Sequence, residues 1–299
     1  MDPISRLLGM ARIKAAVDKR CLLSGATRMD VARYGEREVP FHVLLDGKCE
    51  LHLGADVLEL SAGDVVLIPS GSPHRVITPG SGRLRGTAET EGDAFATTRS
   101  KRGGAAVIDL FCGHYTFDQG AGAVLSRSLP EPLRVSFGQS TVELEMLGAL
   151  MRGEAQREGT GTAAILAALS TALLAMVLRS TTTPALWTAV ADPRIAAAID
   201  GVLDDPGAAW SIERLSRAAT MSRATFLRHF GNETGMTVGA FLARVRVMAA
   251  AELLDGTDAT VAAVALKVGY QSESAFSRAF RTEIGTTPAR YRRERQPTD

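Results

Sequence analysis

Apolar positions change their period along the chain. Between about 13 and 137 they fall in short runs rich in Val, Leu and Ile, broken by Gly and Pro. Asp46-Gly47 and Gly54-Ala55-Asp56 stand where hairpin turns belong, so 39–45, 49–53, 57–60 and 65–68 are predicted strands of a sandwich or small barrel. The stretch 79–106 is rich in Gly, Thr and charge with little periodicity and is predicted to be a long mobile loop. Later the spacing becomes helical. Leu144, Leu147, Leu150 and Met151 mark a helix over 141–157; Ile165, Leu166, Leu169, Leu173 and Val177 mark another over 162–179.

Within the helical part lies a repeat of 50 residues. Ser222-Arg223-Ala224-Thr225-Phe226-Leu227-Arg228-His229-Phe230 returns as Ser272-Glu273-Ser274-Ala275-Phe276-Ser277-Arg278-Ala279-Phe280, and Glu233, Gly235 and Thr237 return as Glu283, Gly285 and Thr287. Two copies mark a duplicated supersecondary unit. The phenylalanines, four apart, share one helical face and read as core, while Ser and Arg lie on the other side. In each copy a short helix, a turn at Thr220-Met221 or Gly269-Tyr270, and a second helix capped by Ser222 or Ser272 form a helix-turn-helix. The stretch 238–255 reads as one stiff connecting helix. Two recognition helices joined stiffly can meet successive major grooves, roughly 34 Å apart.

On these residues, the segment 193–295 resembles the AraC/XylS family of bacterial transcription regulators. The likeness rests on Leu215, Ala218-Ala219, Met221-Ser222, Phe226, Arg228, Phe230, Gly235, Arg246, Ala250 and Leu253-Leu254. It continues through Val268-Gly269-Tyr270, Ser272, Phe276-Ser277-Arg278, Phe280, Gly285, Pro288 and Tyr291-Arg292. Val238 stands where the first repeat often has Pro. The resemblance implies a sequence-specific regulator, read as an activator, that binds a double-stranded DNA operator and works with RNA polymerase. Ser222, Arg223, Ala224, Leu227 and Arg228 of the first repeat, and Ser272, Glu273, Ser274, Arg278 and Arg281 of the second, are the expected DNA-binding residues.

Charge adds little. The segment 193–299 has 14 Lys+Arg against 12 Asp+Glu, so phosphate affinity would rest on local groups such as the closing Arg290, Arg292, Arg293 and Arg295. No segment resembles a signal peptide, and the apolar stretch 163–178 is short for a membrane span and contains Ser170 and Thr171. The expected compartment is the cytoplasm, with no membrane partner. Three cysteines make no disulfide framework.

Gly63, Pro69, Gly71 and His74 fit the spacing Gly-x5-Pro-x-Gly-x2-His. This resembles the second motif of the cupin barrels, with Thr78 where Asn often follows. The first motif is represented at most by His42. The N-terminal part thus resembles the cupin-type sensor of a subgroup of AraC-type regulators. His42, His74 and His114 are the imidazoles that could converge on an effector; they do not complete a metal-ligand set, and no cofactor is expected. Cys21, beside Lys19 and Arg20, and Cys112, near His114, are candidates for a redox pair, because nearby positive charge favours thiolate. Cys49 reads as core.

The expected fold class is α+β and multidomain: a cupin-like sensor barrel over 1–137, dimerisation helices over 138–183, a linker over 184–192 and an all-α double helix-turn-helix domain over 193–299. The last stretch holds apolar faces that look complete, so a fragment from 191 is expected to fold alone. The chain is read as a homodimeric, non-enzymatic regulator answering an unidentified small molecule or oxidant. The alternative is a cupin metalloenzyme carrying a regulatory DNA-binding domain. The incomplete ligand set argues against it, as does the lack of a serine nucleophile with a base or a phosphate-binding glycine loop.

Overall fold

The computed structural model describes residues 2–138, 142–157, 159–181, 185–186 and 193–295. Thr141, Thr182, Thr183, Pro184 and most of the expected linker lie outside them. The described residues form two compact units, one built on sheets and one on helices.

The sheet unit holds β1 (Lys14–Leu23), β2 (Arg28–Val31), β3 (Glu38–Asp46), β4 (Lys48–Leu53), β5 (Asp56–Ser61), β6 (Asp64–Leu67), β7 (His74–Ile77), β8 (Thr87–Thr90), β9 (Ala96–Ser100), β10 (Ile108–Thr116) and β11 (Leu133–Ser136). Seven strands pair in the order β11-β6-β3-β10-β1-β9-β8 and four in the order β2-β7-β4-β5. The two sheets form a sandwich rather than one closed ring. Between them lies a core that includes Leu44, Val66 and Leu110 from the larger sheet and Leu51, Leu60 and Val76 from the smaller. The predicted turns hold: Gly47, Gly54 and Gly63 all have positive φ. At Gly63 a Cβ would stand 2.3 Å from the Gly138 carbonyl oxygen, so only glycine fits.

The stretch expected as a mobile loop, 79–106, contains β8 and β9. They are ordered because β9 pairs in parallel with β1 and Lys19 reaches Glu89 of β8 at 2.6 Å. Helices α3 (Val142–Arg157) and α4 (Thr162–Ser180) belong to this unit, with α4 packed on β1. The faces expected to form a dimer seam are largely spent here. Leu144, Leu147, Met151, Leu166, Leu173 and Val177 are buried, and the Tyr115 hydroxyl donates to the Ser170 carbonyl. Two members of those faces, Leu150 on α3 and Ile165 on α4, stay exposed, and Leu150 forms a stripe with Val142 and Met146, four apart on α3.

The helical unit comprises α5 (Pro193–Asp204), α6 (Ile212–Ala218), α7 (Arg223–Thr234), α8 (Val238–Gly256), α9 (Val261–Lys267), α10 (Glu273–Ile284) and α11 (Pro288–Arg295). It also takes two segments expected in the sensor, α1 (Pro3–Ala11) and α2 (Ala121–Arg127). Leu7 and Ala11 of α1 and Val124 and Leu125 of α2 are buried; α2 packs on α8 and α10, and α1 on α5 and α8. The apolar faces are therefore not complete within 193–299. Asp255, at the end of α8, ties the parts together through Arg12 at 3.3 Å, Arg295 at 2.8 Å and the Tyr291 hydroxyl at 3.2 Å.

The repeat extends beyond the quoted motif. Phe226, Phe230 and Phe241 form one chain of ring contacts, and Phe276, Phe280 and Tyr291 form its counterpart, with every centroid separation between 5.4 and 5.5 Å. Ser222 and Ser272 cap α7 and α10, and Gly235 and Gly285 end them in the left-handed region. The turns differ. Gly269 has φ +86, and a Cβ there would meet the Arg246 guanidinium at 2.8 Å. The first turn places Thr220 at φ +55, a conformation costing a β-branched residue roughly 1–2 kcal/mol. Glycine adds unfolded-state entropy but removes that strain. Thr220→Gly is expected to stabilise the helical unit by roughly 0.5–1 kcal/mol, read from urea unfolding; a lower midpoint would count against strain at this turn.

Candidate functional site

The two recognition helices turn their caps and arginines outward. Ser222 accepts from the Thr225 amide at 3.2 Å and Ser272 from the Ala275 amide at 3.3 Å. Phe226, Phe230, Phe276 and Phe280 bury the opposite faces. This leaves Arg223, Ala224, Leu227 and Arg228 exposed on α7, and Glu273, Ser274, Arg278 and Arg281 exposed on α10. Arg223 is held by Glu213 of α6 at 3.0 Å. Among the described residues the Arg228 and Arg278 side chains have no ion-pair partner. The closing arginines are more committed than their sequence suggested: Arg290 pairs with Glu294, Arg292 donates to the Ala259 carbonyl, and Arg295 bonds Asp255 and Asp118.

The second constellation lies in the sandwich interior. Cys112 on β10 sits opposite His42 on β3, and the Cys112 Sγ is 3.0 Å from His42 Nδ1. The other ring nitrogen of His42 is 2.7 Å from His74 Nε2, across the gap between sheets. His74 Nδ1 donates to the Ser72 carbonyl at 2.8 Å. On the far side, Cys21 Sγ of β1 is 3.7 Å from Cys112 Sγ and 3.4 Å from Met29 Sδ. Four of the five predicted residues, Cys21, His42, His74 and Cys112, are buried, and the structure brings them into one line. Met29 and the Ser72 carbonyl extend that line; nothing local in the sequence marks either one.

His114 stands apart, bonded through Nδ1 to Asp18 at 2.9 Å, with Tyr34 on the same carboxylate at 2.7 Å. The charges expected to activate the thiols have other partners: Arg20 forks onto Asp109 and Lys19 holds Glu89. Burial dominates instead. It pushes the Cys112 thiol well up, with Cys21 adding to the rise and Lys19 only partly opposing it. Burial lifts Cys49 to about 12. Burial also lowers His42 well below its ordinary 6.5, aided by His74, and lowers His74 against the pull of the Ser72 carbonyl. His74 also borders an open hollow of about 420 Å³ with Asp30, His52 and Arg75. Among the described residues no group of three or more His, Cys, Asp or Glu side chains is arranged to hold a metal.

Comparison with known proteins agrees with both halves of the chain. Residues 2–183 match the Cupin family and 215–294 a helix-turn-helix domain. An uncharacterized HTH-type transcriptional regulator of Haemophilus influenzae is 30% identical, over 98% of this chain and 99% of that one. The regulator MtrA of Neisseria gonorrhoeae is 28% identical over 98% and 99% of the two chains. RclR of Escherichia coli, an RCS-specific HTH-type transcriptional activator, is 28% identical over 98% and 97%. The chain belongs to the AraC/XylS family of DNA-binding transcription regulators with an N-terminal cupin domain.

Neutral buried histidines make stability depend on pH. Between 6.5 and the lowered folded values of His42 and His74, the unfolded chain holds more protons, so stability is lost as pH falls through that window. His114 acts in the opposite sense. Its Asp18 bond raises it, and its contribution is lost as pH rises above 6.5 through the folded value. Urea unfolding is expected to show lower stability at pH 5.5 than at pH 6.5, with a slope of at most about 1.4 kcal/mol per pH unit for each histidine. The slope should shrink in His74→Gln. Equal stability at the two pH values would contradict a neutral buried pair.

Proposed function

We propose that this chain is a one-component transcription activator that binds operator DNA through α7 and α10 and senses a two-electron oxidant through the Cys21–Cys112 pair. The observation carrying the sensor reading is the pair of thiols 3.7 Å apart with an imidazole nitrogen 3.0 Å from one of them. Register puts Cys21 opposite Leu110 and Cys112 opposite Lys19, so the cysteines are diagonal neighbours. Such positions lie about 7–8 Å apart between Cα atoms, just outside the disulfide range of about 4.4–6.8 Å. Closing the bond draws β1 and β10 together. Each strand continues within a few residues into a helix of the helical unit, β1 from α1 and β10 into α2, which supplies a covalent route for the signal. RclR, named an activator, supports activation, with RNA polymerase as the further partner. The reducing cytoplasm would keep the resting thiols free.

Two rival readings fit less well. A small ligand held between His42 and His74 has no space there, since their nitrogens are 2.7 Å apart. A catalytic cupin lacks support from relatives, which carry regulator names. On α7 and α10, Arg228 and Arg278 are assigned to base edges or adjacent phosphates. Ser222 and Ser272 are placed near phosphates, and Arg223, Ala224, Leu227, Glu273, Ser274 and Arg281 complete the two faces. A second copy of the chain is assigned to the exposed stripe of Val142, Met146, Leu150 and Ile165.

The test is operator binding at fixed salt, before and after oxidant. Arg228→Ala and Arg278→Ala are each expected to lose roughly 1–3 kcal/mol of operator affinity; unchanged affinity and sequence preference in both removes the base-reading assignment. The oxidised parent chain should yield a Cys21–Cys112 linked peptide by mass spectrometry together with altered operator binding. Three thiols still free after oxidant would remove the redox reading. By light scattering the full chain should have twice the mass of one chain and Met146→Glu the mass of one; a monomeric parent removes the dimer.

A further inference from the structure

The hydrogen-bonded line through the sandwich has a direction, and its last member sets it. The Ser72 carbonyl can only accept, so His74 Nδ1 carries a proton. In the neutral ring this leaves His74 Nε2 as an acceptor, and His42 must donate to it from Nε2. His42 Nδ1 then keeps a lone pair, and that lone pair faces the Cys112 thiol at 3.0 Å. Among the described residues Cys21 has no such neighbour: its sulfur meets Met29 Sδ and Cys112 Sγ. The two thiols are therefore chemically unequal, although both are buried in the same core.

We propose that His42 is the general base for the sensor thiol, that Cys112 is the attacking sulfur and Cys21 the resolving one, and that His74 is a positioning residue fixing the His42 tautomer. This rests on the oxidant reading above. With a hydroperoxide, Cys112 gives its proton to His42 Nδ1 as its sulfur attacks the terminal peroxide oxygen. The O–O bond breaks, the alkoxide leaves and recovers a proton from the His42–His74 pair, and Cys112 becomes a sulfenic acid. The Cys21 sulfur then attacks the Cys112 sulfur, the S–O bond breaks, and hydroxide leaves with the Cys21 proton as water. Two thiols and one hydroperoxide give one disulfide, one alcohol and one water. A base is needed because an apolar core resists a free thiolate; transfer within the transition state avoids forming one. The titratable groups facing His42 and Cys112 are His74 on β7 and Cys21, Lys19 and Asp18 on β1. Lys19 is held by Glu89 and Asp18 by His114 and Tyr34.

The experiment uses the full chain, hydrogen peroxide as oxidant and dimedone to trap sulfenic acid. In Cys21→Ser the adduct should form on Cys112. In Cys112→Ser, Cys21 should stay unmodified at the same dose. The parent's oxidation rate should be nearly flat from pH 8 to 6.5, because a neutral imidazole serves throughout. In His42→Gln it should be slower and rise about tenfold per pH unit, as for a thiol waiting to ionise. His74→Ala should slow the reaction and His74→Gln, whose amide oxygen accepts from His42, should restore part of the rate. Where a histidine variant does not fold, the two serine variants and the parent's pH profile decide. Trapping on Cys21 in Cys112→Ser at the rate seen for Cys112, or a tenfold-per-unit slope in the parent, overturns the assignment while leaving the disulfide switch standing. A parent that never forms the disulfide overturns the oxidant reading itself.

Discussion

Helix α8 is held at both ends, by a ring contact at its start and a hydrogen bond near its end, and the geometry of the helical unit depends on it. At its start Phe241 receives the edge of Phe230. Near its end Asp255 takes the hydroxyl of Tyr291, whose ring closes on Phe280. The two aromatic chains place α7 and α10 at opposite ends of one helix of 19 residues, about 28 Å long at the usual rise. A helix pinned this way cannot bend cheaply, because moving either recognition helix breaks ring contacts in a close-packed core. Spacing between the reading heads is thus a property of α8, and the caps and arginines on those heads can vary without disturbing it.

The interior of the sandwich follows a different rule. A polar line of two sulfurs and two imidazoles runs through an apolar core, and it is tolerable because its members satisfy one another. Each imidazole nitrogen has a partner, and the line ends on a backbone carbonyl and a thioether. Losing one member leaves its buried neighbours short of a partner. Such a line responds as a whole to a change in any one member.

The parts of this fold legible in the sequence were those whose cause is local. Ser caps, left-handed glycines and hairpin turns act over a few residues, and together with the 50-residue repeat they locate α6 to α10 and the hairpins from β3 to β6. The cupin-like spacing from Gly63 to His74 singled out His74, which starts β7. What failed depends on partners distant in the chain. α1 and α2 are short helices whose apolar faces acquire meaning against each other and against α5, α8 and α10. β8 and β9 look like loop until β1 supplies an edge. Lys19 and Arg20 look like activators of Cys21 until Glu89 and Asp109 claim them. The proximity of His42 to Cys112 is a matter of register between β3 and β10, which no local pattern encodes.

The interleaving of the two units bears on how the chain is made. Helix α1 emerges early from a ribosome, yet the surface it covers includes α8, more than two hundred residues later. α2 waits likewise for α8 and α10. Until then α1 and α2 have chiefly each other to pack against, and what that pair leaves uncovered is open to chaperones or to other nascent chains. Completing the helical unit therefore needs two long loop closures, slow steps in a topology whose other contacts are local. At high expression such a delay invites aggregation.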